Sequence, residues 1–290
     1  MRTIIVLSVA ALGVAGCGSA HGGSTLDVVA STNVYGDIAA QIGGARVSVT
    51  SVLSDPNADP HLFEPGTQNG LAVAQANVVI QNGAGYDDFM GRLESASPSR
   101  SRIVVTIAEV LGVRGRDANP HLWYDVPRLP RIAGAIAAGL EKVDPKHAAA
   151  YRAGLDRFVK SLRPLDREVL RIRTRYAGRP IAYTEPVPGY LVAALGLRNL
   201  APASFTRAIQ NGSEQPAEAV AAMNALIGDH RVDVLLYNSQ AVSPITARVR
   251  AAAQQAGIPV VGVTETLPPH LTFQQWQLAQ VRSLQRALAR

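Results

Sequence analysis

Two short segments of the chain place a histidine in similar surroundings. Residues 59–63 have the sequence DPHLF and residues 119–123 have the sequence NPHLW, so His61 and His121 each follow a proline and precede a leucine and an aromatic residue. The proline restricts the backbone just before each imidazole. A single histidine is more often a hydrogen-bonded structural residue, but two with matching neighbours favour a shared metal site. Imidazole suits Zn²⁺ and related transition-metal ions.

An imidazole that binds a metal ion usually has a partner on its other ring nitrogen, which holds the ring in one orientation. Glu64 comes three residues after the first histidine and Asp125 four residues after the second. We therefore predict that Glu64 and Asp125 support the two imidazoles.

The elements that must position these residues follow from the hydrophobic pattern. Short apolar runs alternate with helical patterns, which is typical of βαβ units and a mostly parallel sheet. Strands are predicted over residues 26–30, 47–53, 78–81, 103–107, 180–183, 232–236 and 259–263. The predicted fold is α/β, with two lobes joined by one long helix, each lobe being a mostly parallel sheet flanked by helices. Ligands of such open sheets bind beyond the carboxyl ends of the strands.

The boundaries of the lobes follow from where strand patterns stop. We predict an N-terminal lobe over residues 26–145, a linking helix over 146–176 and a C-terminal lobe over 177–290. The middle segment has no strand pattern and keeps a helical spacing of apolar residues. Pro164 is expected to kink or interrupt the linking helix, because proline removes a backbone donor.

The N-terminal segment has the organisation of an export signal. Residues 1–16 contain one arginine followed by an apolar run that is too short to cross a bilayer of about 30 Å as a helix. Small residues stand directly before Cys17, the single cysteine of the chain. This ending resembles the lipobox of bacterial lipoproteins, which implies acylation of Cys17 and a flexible tether over 17–25. The expected location is the extracellular face of the cytoplasmic membrane, where two or three acyl chains would anchor the protein stably in the cell envelope.

Composition indicates a globular chain and argues against a nucleic-acid partner. Hydrophobic residues make up 47% and charged residues 17% of the 290 residues, and the formal net charge is +6. The arginines are spread out at a spacing typical of a solvent-exposed helix face. An exported protein also rarely meets nucleic acid, so no nucleic-acid binding is predicted.

The two histidine segments resemble those of the cluster A-I metal-binding lipoproteins of ABC importers, which capture zinc or manganese and have a rigid linking helix. The resemblance extends over nearly the whole mature chain. It includes VASTN at residues 29–33 and NGAG at residues 82–85, but the DPH and NPHLW segments are its most specific part. It implies that His61 and His121 both bind the ion and that the linking helix is rigid.

The same resemblance implies two carboxylate ligands from the C-terminal lobe. Glu185 stands at the family's third ligand position, five residues before a tyrosine, and Glu265 stands at the fourth, after the last predicted strand. The family most often has aspartate at the fourth position. Two imidazoles and two carboxylates form a neutral site with a dipositive ion, which favours an ion held away from water. The chain departs from the family in two respects: it lacks a histidine- and acid-rich loop, and Asn238 stands where relatives often have glutamate.

The function that the resemblance implies is capture of a divalent ion for import. The ion, Zn²⁺ in preference to Mn²⁺, is the transported cargo, and the protein delivers it to an ABC permease driven by a separate ATPase subunit. We expect a monomer that catalyses no reaction.

Three alternatives have different requirements. An exported zinc-dependent hydrolase needs an open coordination position and a general base, and the chain contains neither an HExxH nor a GxSxG motif. A surface adhesin with a structural metal would unfold when the ion is removed. Binding of an organic metal chelate would require a wide cleft lined by arginine or aromatic residues, and no such cluster lies near His61 or His121 in the sequence.

Overall fold

The computed structural model describes residues 25–115 and 117–290, without the side chain of His61. The predicted signal peptide (1–16) and the predicted lipidation site, Cys17, lie outside the described residues, as does the tether (17–25) except for its last residue. Within the described ranges, no helix is both long enough and apolar enough to span a membrane.

The N-terminal lobe is built on a sheet of four parallel strands in the order β2-β1-β3-β4. The strands are β1 (Leu26–Thr32), β2 (Val47–Leu53), β3 (Val78–Gln81) and β4 (Ile103–Thr106). The helices are α1 (Asn33–Gly43), α2 (Thr67–Gln75), α3 (Phe89–Ala96), α4 (Ile107–Leu111) and α5 (Leu129–Val143). All four strands were predicted from their apolar runs.

The C-terminal lobe repeats this arrangement, with a second parallel sheet in the order β6-β5-β7-β8. Its strands are β5 (Pro180–Tyr183), β6 (Arg198–Asn199), β7 (Val234–Asn238) and β8 (Val260–Val263). Its helices are α8 (Gly189–Ala194), α9 (Ala203–Gln210), α10 (Ala217–Gly228), α11 (Pro244–Gln255) and α12 (Phe273–Leu288). The prediction of two α/β lobes is confirmed. Strand β6 was not predicted, because two residues are too few to show a periodic pattern.

The linking segment consists of two consecutive helices, α6 (Ala148–Ser161) and α7 (Arg163–Tyr176). The interruption predicted at Pro164 falls two residues earlier, at Leu162, whose backbone keeps a right-handed helical conformation with φ −74° and ψ −18°. Pro164 lies in the first turn of α7, where proline is tolerated because that backbone N–H would have no partner within the helix. Helix α6 packs against α1 and α5, whereas α7 packs against α12.

Strand order determines where each sheet can present side chains. In each lobe the second strand is added on one side of the first strand, and the third and fourth strands are added on the other side. The direction in which strands are added therefore reverses between β1 and β3 and between β5 and β7. Ligands of open parallel sheets bind at such reversal points, beyond the carboxyl ends of the strands. Strand β7 is buried along its whole length, so its carboxyl end lies inside the protein and not at a surface.

The two lobes share one hydrophobic core. The largest cluster of buried apolar side chains includes residues from both sheets. A row of aromatic rings, with centroids 5.8–6.5 Å apart, crosses from one lobe to the other through Tyr35, Trp123, Tyr124, Trp276 and Phe273. Close-packed interiors resist deformation. We therefore expect small rearrangements between the lobes and not a wide opening.

Polar contacts between α1 and α12 also join the lobes. The Asp37 carboxylate accepts a hydrogen bond of 2.9 Å from the backbone N–H of Phe273, at the start of α12. The side-chain amides of Gln41 and Gln274 exchange hydrogen bonds of 3.0 and 2.9 Å. A carboxylate at a helix N-terminus satisfies a backbone donor that has no partner within the helix, so Asp37 stabilises the start of α12.

A close approach between α1 and α6 provides a test of this packing. A Cβ atom at Gly154 would lie 2.1 Å from the carbonyl oxygen of Ile42. The obstacle is backbone and cannot rotate away, so Gly154→Ala is expected to lower the free energy of unfolding by about 1–3 kcal/mol. Urea unfolding measures the change. The matched control is Gly134→Ala in α5, where an added Cβ would meet nothing within 4 Å. That substitution should stabilise the helix by about 0.5–1 kcal/mol. Equal stability of Gly154→Ala and the parent would contradict the close approach.

Candidate metal centre

Among the residues that the structure describes, one group of histidine and acidic side chains has the spacing of a metal site: His121, Glu185 and Glu265. One potential ligand atom from each lies within 4.8 Å of the others. Nε2 of His121 is 3.3 Å from Oε2 of Glu265 and 4.0 Å from Oε1 of Glu185. Ligand atoms that share a tetrahedral ion with bonds of about 2 Å lie about 3.3–3.6 Å apart. The three side chains are therefore close to the arrangement in which they can bind one ion.

The two carboxylates reach this point from two strands of the second sheet that lie on either side of β7. Glu185 lies two residues beyond β5, and Glu265 two residues beyond β8. Strand β7 lies between these strands and ends at Asn238. Because all the strands are parallel, their carboxyl ends meet at one edge of the sheet. Each of these three side chains is at most 1% exposed, so an ion held by the carboxylates would be removed from solvent.

Asn238 connects the two carboxylates. Its Nδ2 donates hydrogen bonds of 2.6 Å to Oε2 of Glu185 and 2.7 Å to Oε1 of Glu265. Its Oδ1 accepts a hydrogen bond of 3.0 Å from the backbone N–H of Gln240. In the sequence, Asn238 stands out only as a departure from the family pattern. Its position at the end of a buried strand, between the two strands that precede Glu185 and Glu265, was the available signal for a role in the site.

The imidazole of His121 is oriented by Asn119. Oδ1 of Asn119 lies 2.7 Å from Nδ1 of His121 and also accepts the backbone N–H of His121 at 3.0 Å. An amide oxygen can only accept, so Nδ1 carries a proton, and Nε2 is the ring nitrogen that faces the carboxylates and could bind an ion. The backbone contact is the turn that asparagine forms with the residue two positions on. This local preference is a signal in the sequence that points to Asn119.

The prediction that Asp125 supports His121 requires a correction. The Asp125 carboxylate is 2.6 Å from Nε and 2.5 Å from Nη2 of Arg128. Arginine presents its donors in a planar fork that suits a carboxylate. Asp125 therefore pairs with Arg128, three residues further on, and the acceptor beside His121 is Asn119.

Asn119 also joins the two lobes at the site. Its Nδ2 donates a hydrogen bond of 2.6 Å to the carbonyl oxygen of Pro186, the residue after Glu185. Its own carbonyl oxygen accepts a hydrogen bond of 2.9 Å from the hydroxyl of Tyr190. Gly189 permits this approach, since a Cβ there would lie 2.7 Å from Nδ2 of Asn119. One side chain thus links the imidazole of one lobe to the carboxylate-bearing turn of the other.

The NGAG turn at residues 82–85 holds the His121 loop from the other side. Nδ2 of Asn82 donates a hydrogen bond of 2.8 Å to the carbonyl oxygen of Pro120. The carboxylate of Asp87 accepts the backbone N–H groups of Asn82 and Gly83 at 2.6 and 2.8 Å. Burial raises the pKa of Asp87, and these hydrogen bonds act in the opposite direction. Gly83 has φ +75° and its Cβ would lie 2.8 Å from Thr106, so this turn requires glycine.

Aromatic rings cover the imidazole. The rings of Tyr86 and Trp123 lie edge-on to His121, with centroid distances of 5.8 and 5.5 Å. Burial raises the pKa of Tyr86 well above its ordinary value, and the charges of Glu265 and Glu185 act in the same direction. The phenol therefore stays protonated at neutral pH. Such an apolar surround limits access of water and strengthens electrostatic interactions at the site.

The loop that leads into the first histidine segment lies against the site. The side chain of His61 itself is not described. The backbone of His61 is in a short 3-10 helix, Pro60–Leu62. Gln240 ties the preceding loop to the carboxylate side of the site: its Nε2 donates to the carbonyl oxygen of Pro56 at 3.0 Å, and its Oε1 accepts the backbone N–H of Glu265 at 2.5 Å. Glu64 is exposed, and its support of His61 stays a prediction.

Comparisons with known proteins are consistent in fold and family. Residues 28–287 match the protein family described as "Zinc-uptake complex component A periplasmic". The manganese-binding lipoprotein MntA of Halalkalibacterium halodurans is 31% identical over 168 residues, 56% of each chain. The MntA of Bacillus subtilis is 28% identical over 165 residues, 52% of this chain and 53% of that one. The chain thus spans little more than half the length of these curated relatives.

A solved structure extends the likeness in fold to almost the whole molecule. The periplasmic zinc-binding protein TroA of Treponema pallidum superposes with a TM-score of 0.79 at 21% identity, covering 92% of this chain and 100% of that chain. The two proteins therefore share the fold of both lobes.

Proposed function

Because the chain belongs to the periplasmic zinc-uptake complex component A family, we propose that it is the substrate-binding component of an ABC importer for a divalent transition-metal ion. The observation that carries this proposal is the convergence of His121, Glu185 and Glu265, which are distant in sequence and buried together between the lobes. The family is one of solute-binding proteins for metal uptake, and the proposed activity is capture and delivery without a chemical reaction.

The proposed ligand set is His61, His121, Glu185 and Glu265. Three of the four side chains lie within 4.8 Å of one another. Support for His61 comes from the bonds of Gln240, which hold the loop before His61 against the backbone of Glu265. The set carries two negative charges, which a dipositive ion neutralises. A charge removed from water needs such compensation, so the buried site favours a divalent cation over a monovalent one.

Capture in this proposal is a replacement of the water shell of the ion by side chains from both lobes. His121 belongs to the N-terminal lobe, whereas Glu185 and Glu265 belong to the C-terminal lobe. An ion bound by all three stabilises the contact between the lobes, and its release requires that contact to loosen. Zn²⁺ is the preferred ion and Mn²⁺ the next, since nitrogen and oxygen donors bind Zn²⁺ more tightly in the general order of affinities.

The proposed cellular setting is the extracellular face of the cytoplasmic membrane. Acylation of Cys17 anchors the chain, and the tether leaves the lobes free to reach a permease. A separate ATPase subunit drives transport, and the binding protein acts as a monomer. A zinc-dependent hydrolase is not favoured, because four protein ligands leave no position for an activated water in a tetrahedral site.

Metal titration followed by chelation tests this function. The metal-free protein is titrated with Zn²⁺ and with Mn²⁺ in competition with a fluorescent chelator, and circular dichroism follows the fold. We expect one ion per chain and tighter binding of Zn²⁺. At free Zn²⁺ about 1,000-fold above Kd, binding should add about 4 kcal/mol to the free energy of unfolding.

The outcome of chelation separates the proposal from a structural metal site. Excess chelator should return a metal-free protein with an unchanged circular dichroism spectrum, because both lobes retain their apolar core without the ion. Unfolding on chelation would instead identify a structural metal. Absence of binding for both ions would refute the proposed function.

A further inference from the structure

The two carboxylates of the site each present one oxygen to His121 and the other to Asn238. Oε1 of Glu185 and Oε2 of Glu265 are the atoms that lie 4.0 and 3.3 Å from Nε2 of His121. The second oxygens, Oε2 of Glu185 and Oε1 of Glu265, accept the two hydrogen bonds from Nδ2 of Asn238 at 2.6 and 2.7 Å. The Asn238 amide thus binds, in each carboxylate, the oxygen that is not the one nearest to His121.

From this geometry we infer that Asn238 restricts Glu185 and Glu265 to one coordinating oxygen each, and that this restriction selects Zn²⁺ over Mn²⁺. The inference rests on the proposed function, since it concerns the ion that the same site captures. It assigns a specificity role to a residue that is not itself a ligand.

The orientation of the Asn238 amide follows from the chemistry of its neighbours. The backbone N–H of Gln240, 3.0 Å from Oδ1, can only donate, so the oxygen of the amide must face it. With the oxygen so placed, the NH₂ group faces Glu185 and Glu265, whose carboxyl oxygens accept its hydrogen bonds. The NH₂ group has two hydrogens, one for each carboxylate. The assignment of oxygen and nitrogen is therefore determined by all three partners together.

The position of Asn238 is held by its surroundings. It is the last residue of β7 and is 1% exposed. Its backbone N–H donates to Oγ1 of Thr184 at 3.2 Å, next to Glu185. Gln240 holds both the amide oxygen of Asn238 and the backbone of Glu265. A carboxylate that turned both oxygens toward an ion would have to swing its second oxygen away from Asn238, which strains the hydrogen bond between them. Complete loss of that bond would leave a buried donor without a partner, at a cost of about 1–3 kcal/mol.

A limit of one oxygen per carboxylate determines the coordination number. His121 and the two carboxylates provide three donor atoms, and the proposed ligand His61 provides a fourth. Four donors suit the tetrahedral preference of Zn²⁺. Mn²⁺ is a harder ion that favours six ligands rich in oxygen, and chelation by both oxygens of each carboxylate is the route by which this ligand set could approach six. The bonds from Asn238 oppose the rotation of the carboxylates that this route requires.

Comparison of the two ions in variants of Asn238 tests the inference. The ratio of the Kd for Mn²⁺ to the Kd for Zn²⁺ is measured by competition titration in the parent, in Asn238→Ala and in the isosteric Asn238→Asp. Loss of a group that orients metal ligands changes metal affinity by about 10- to 100-fold, and we expect the ratio to fall by about tenfold in both variants. X-ray absorption of the Mn²⁺-bound alanine variant should show more oxygen neighbours than in the Mn²⁺-bound parent.

Control measurements separate this inference from the proposed function and from misfolding. Asn211→Ala removes an exposed amide of the same lobe and should leave the ratio unchanged. Thermal unfolding of the metal-free proteins identifies a variant that fails to fold, and the isosteric aspartate variant then carries the test. If the parent binds Zn²⁺ and both variants keep its ratio and its coordination number, Asn238 has no role in selectivity and the proposed function stands. If the parent binds neither ion, both proposals are overturned.

Discussion

Replacement of Glu265 by glutamine should abolish most of the affinity for Zn²⁺. The substitution keeps the size of the side chain and removes the charge that, together with Glu185, neutralises the ion. Loss of one partner from a buried charge pair costs about 2–5 kcal/mol, and about 3 kcal/mol corresponds to about 100-fold in Kd. We therefore expect Kd for Zn²⁺ to rise by about 100-fold in a competition titration. Glu265 is fully buried, with Oε2 3.3 Å from Nε2 of His121, so solvent provides little screening.

The same substitution should have the opposite effect on the metal-free fold. Without an ion, Glu185 and Glu265 are two buried carboxylates joined through one amide. Glutamine keeps an oxygen that can accept the bond from Asn238, and it replaces a buried acidic group by a neutral one whose burial costs less. Metal-free Glu265→Gln should therefore unfold at a temperature equal to or above that of the metal-free parent. Glu218→Gln, at an exposed position in α10, is the matched control and should leave both affinity and stability unchanged. Unaltered Zn²⁺ affinity in Glu265→Gln would remove Glu265 from the ligand set.

Replacement of Asn119 by alanine should weaken Zn²⁺ binding by about 10- to 100-fold, the range found when the group that orients a metal-binding histidine is lost. Two effects combine in this variant. Nδ1 of His121 loses its acceptor, at 2.7 Å, so the imidazole is no longer held with Nε2 toward the carboxylates. The carbonyl oxygen of Pro186 loses its donor from the opposite lobe, at 2.6 Å. Titration calorimetry or chelator competition measures the loss.

Asn119→Asp distinguishes the two effects. An ionised aspartate keeps an acceptor for His121 but cannot donate to the carbonyl oxygen of Pro186. Its Zn²⁺ affinity should lie between those of the parent and of Asn119→Ala, because only the contact between the lobes is lost. Equal losses in both variants would assign the whole effect to the inter-lobe bond, and parent-like affinity in Asn119→Ala would show that His121 needs no orienting partner.

The amino-acid sequence by itself determined the helices and strands and most of the candidate ligands. Apolar runs of strand length alternate with helical periods, and this local pattern was sufficient to predict seven of the eight strands and the two-lobed α/β architecture. Family resemblance placed His121, Glu185 and Glu265 at ligand positions, and the structure brings these three together. Both carboxylates lie just beyond the carboxyl ends of parallel strands, where ligands are expected, so their convergence follows from the strand order of the sheet.

Only the tertiary structure decided which side chains orient those ligands. Asn119, Asn238 and Gln240 form bonds to residues that are remote in sequence, on other strands or in the other lobe. Asp125 was predicted to support His121 because it is close to it in sequence, but the Asp125 carboxylate pairs with the guanidinium of Arg128. Sequence patterns report the period of burial along one element. A hydrogen bond between elements depends on the register and distance at which they pack, and those quantities are set by the whole core and not by any single segment.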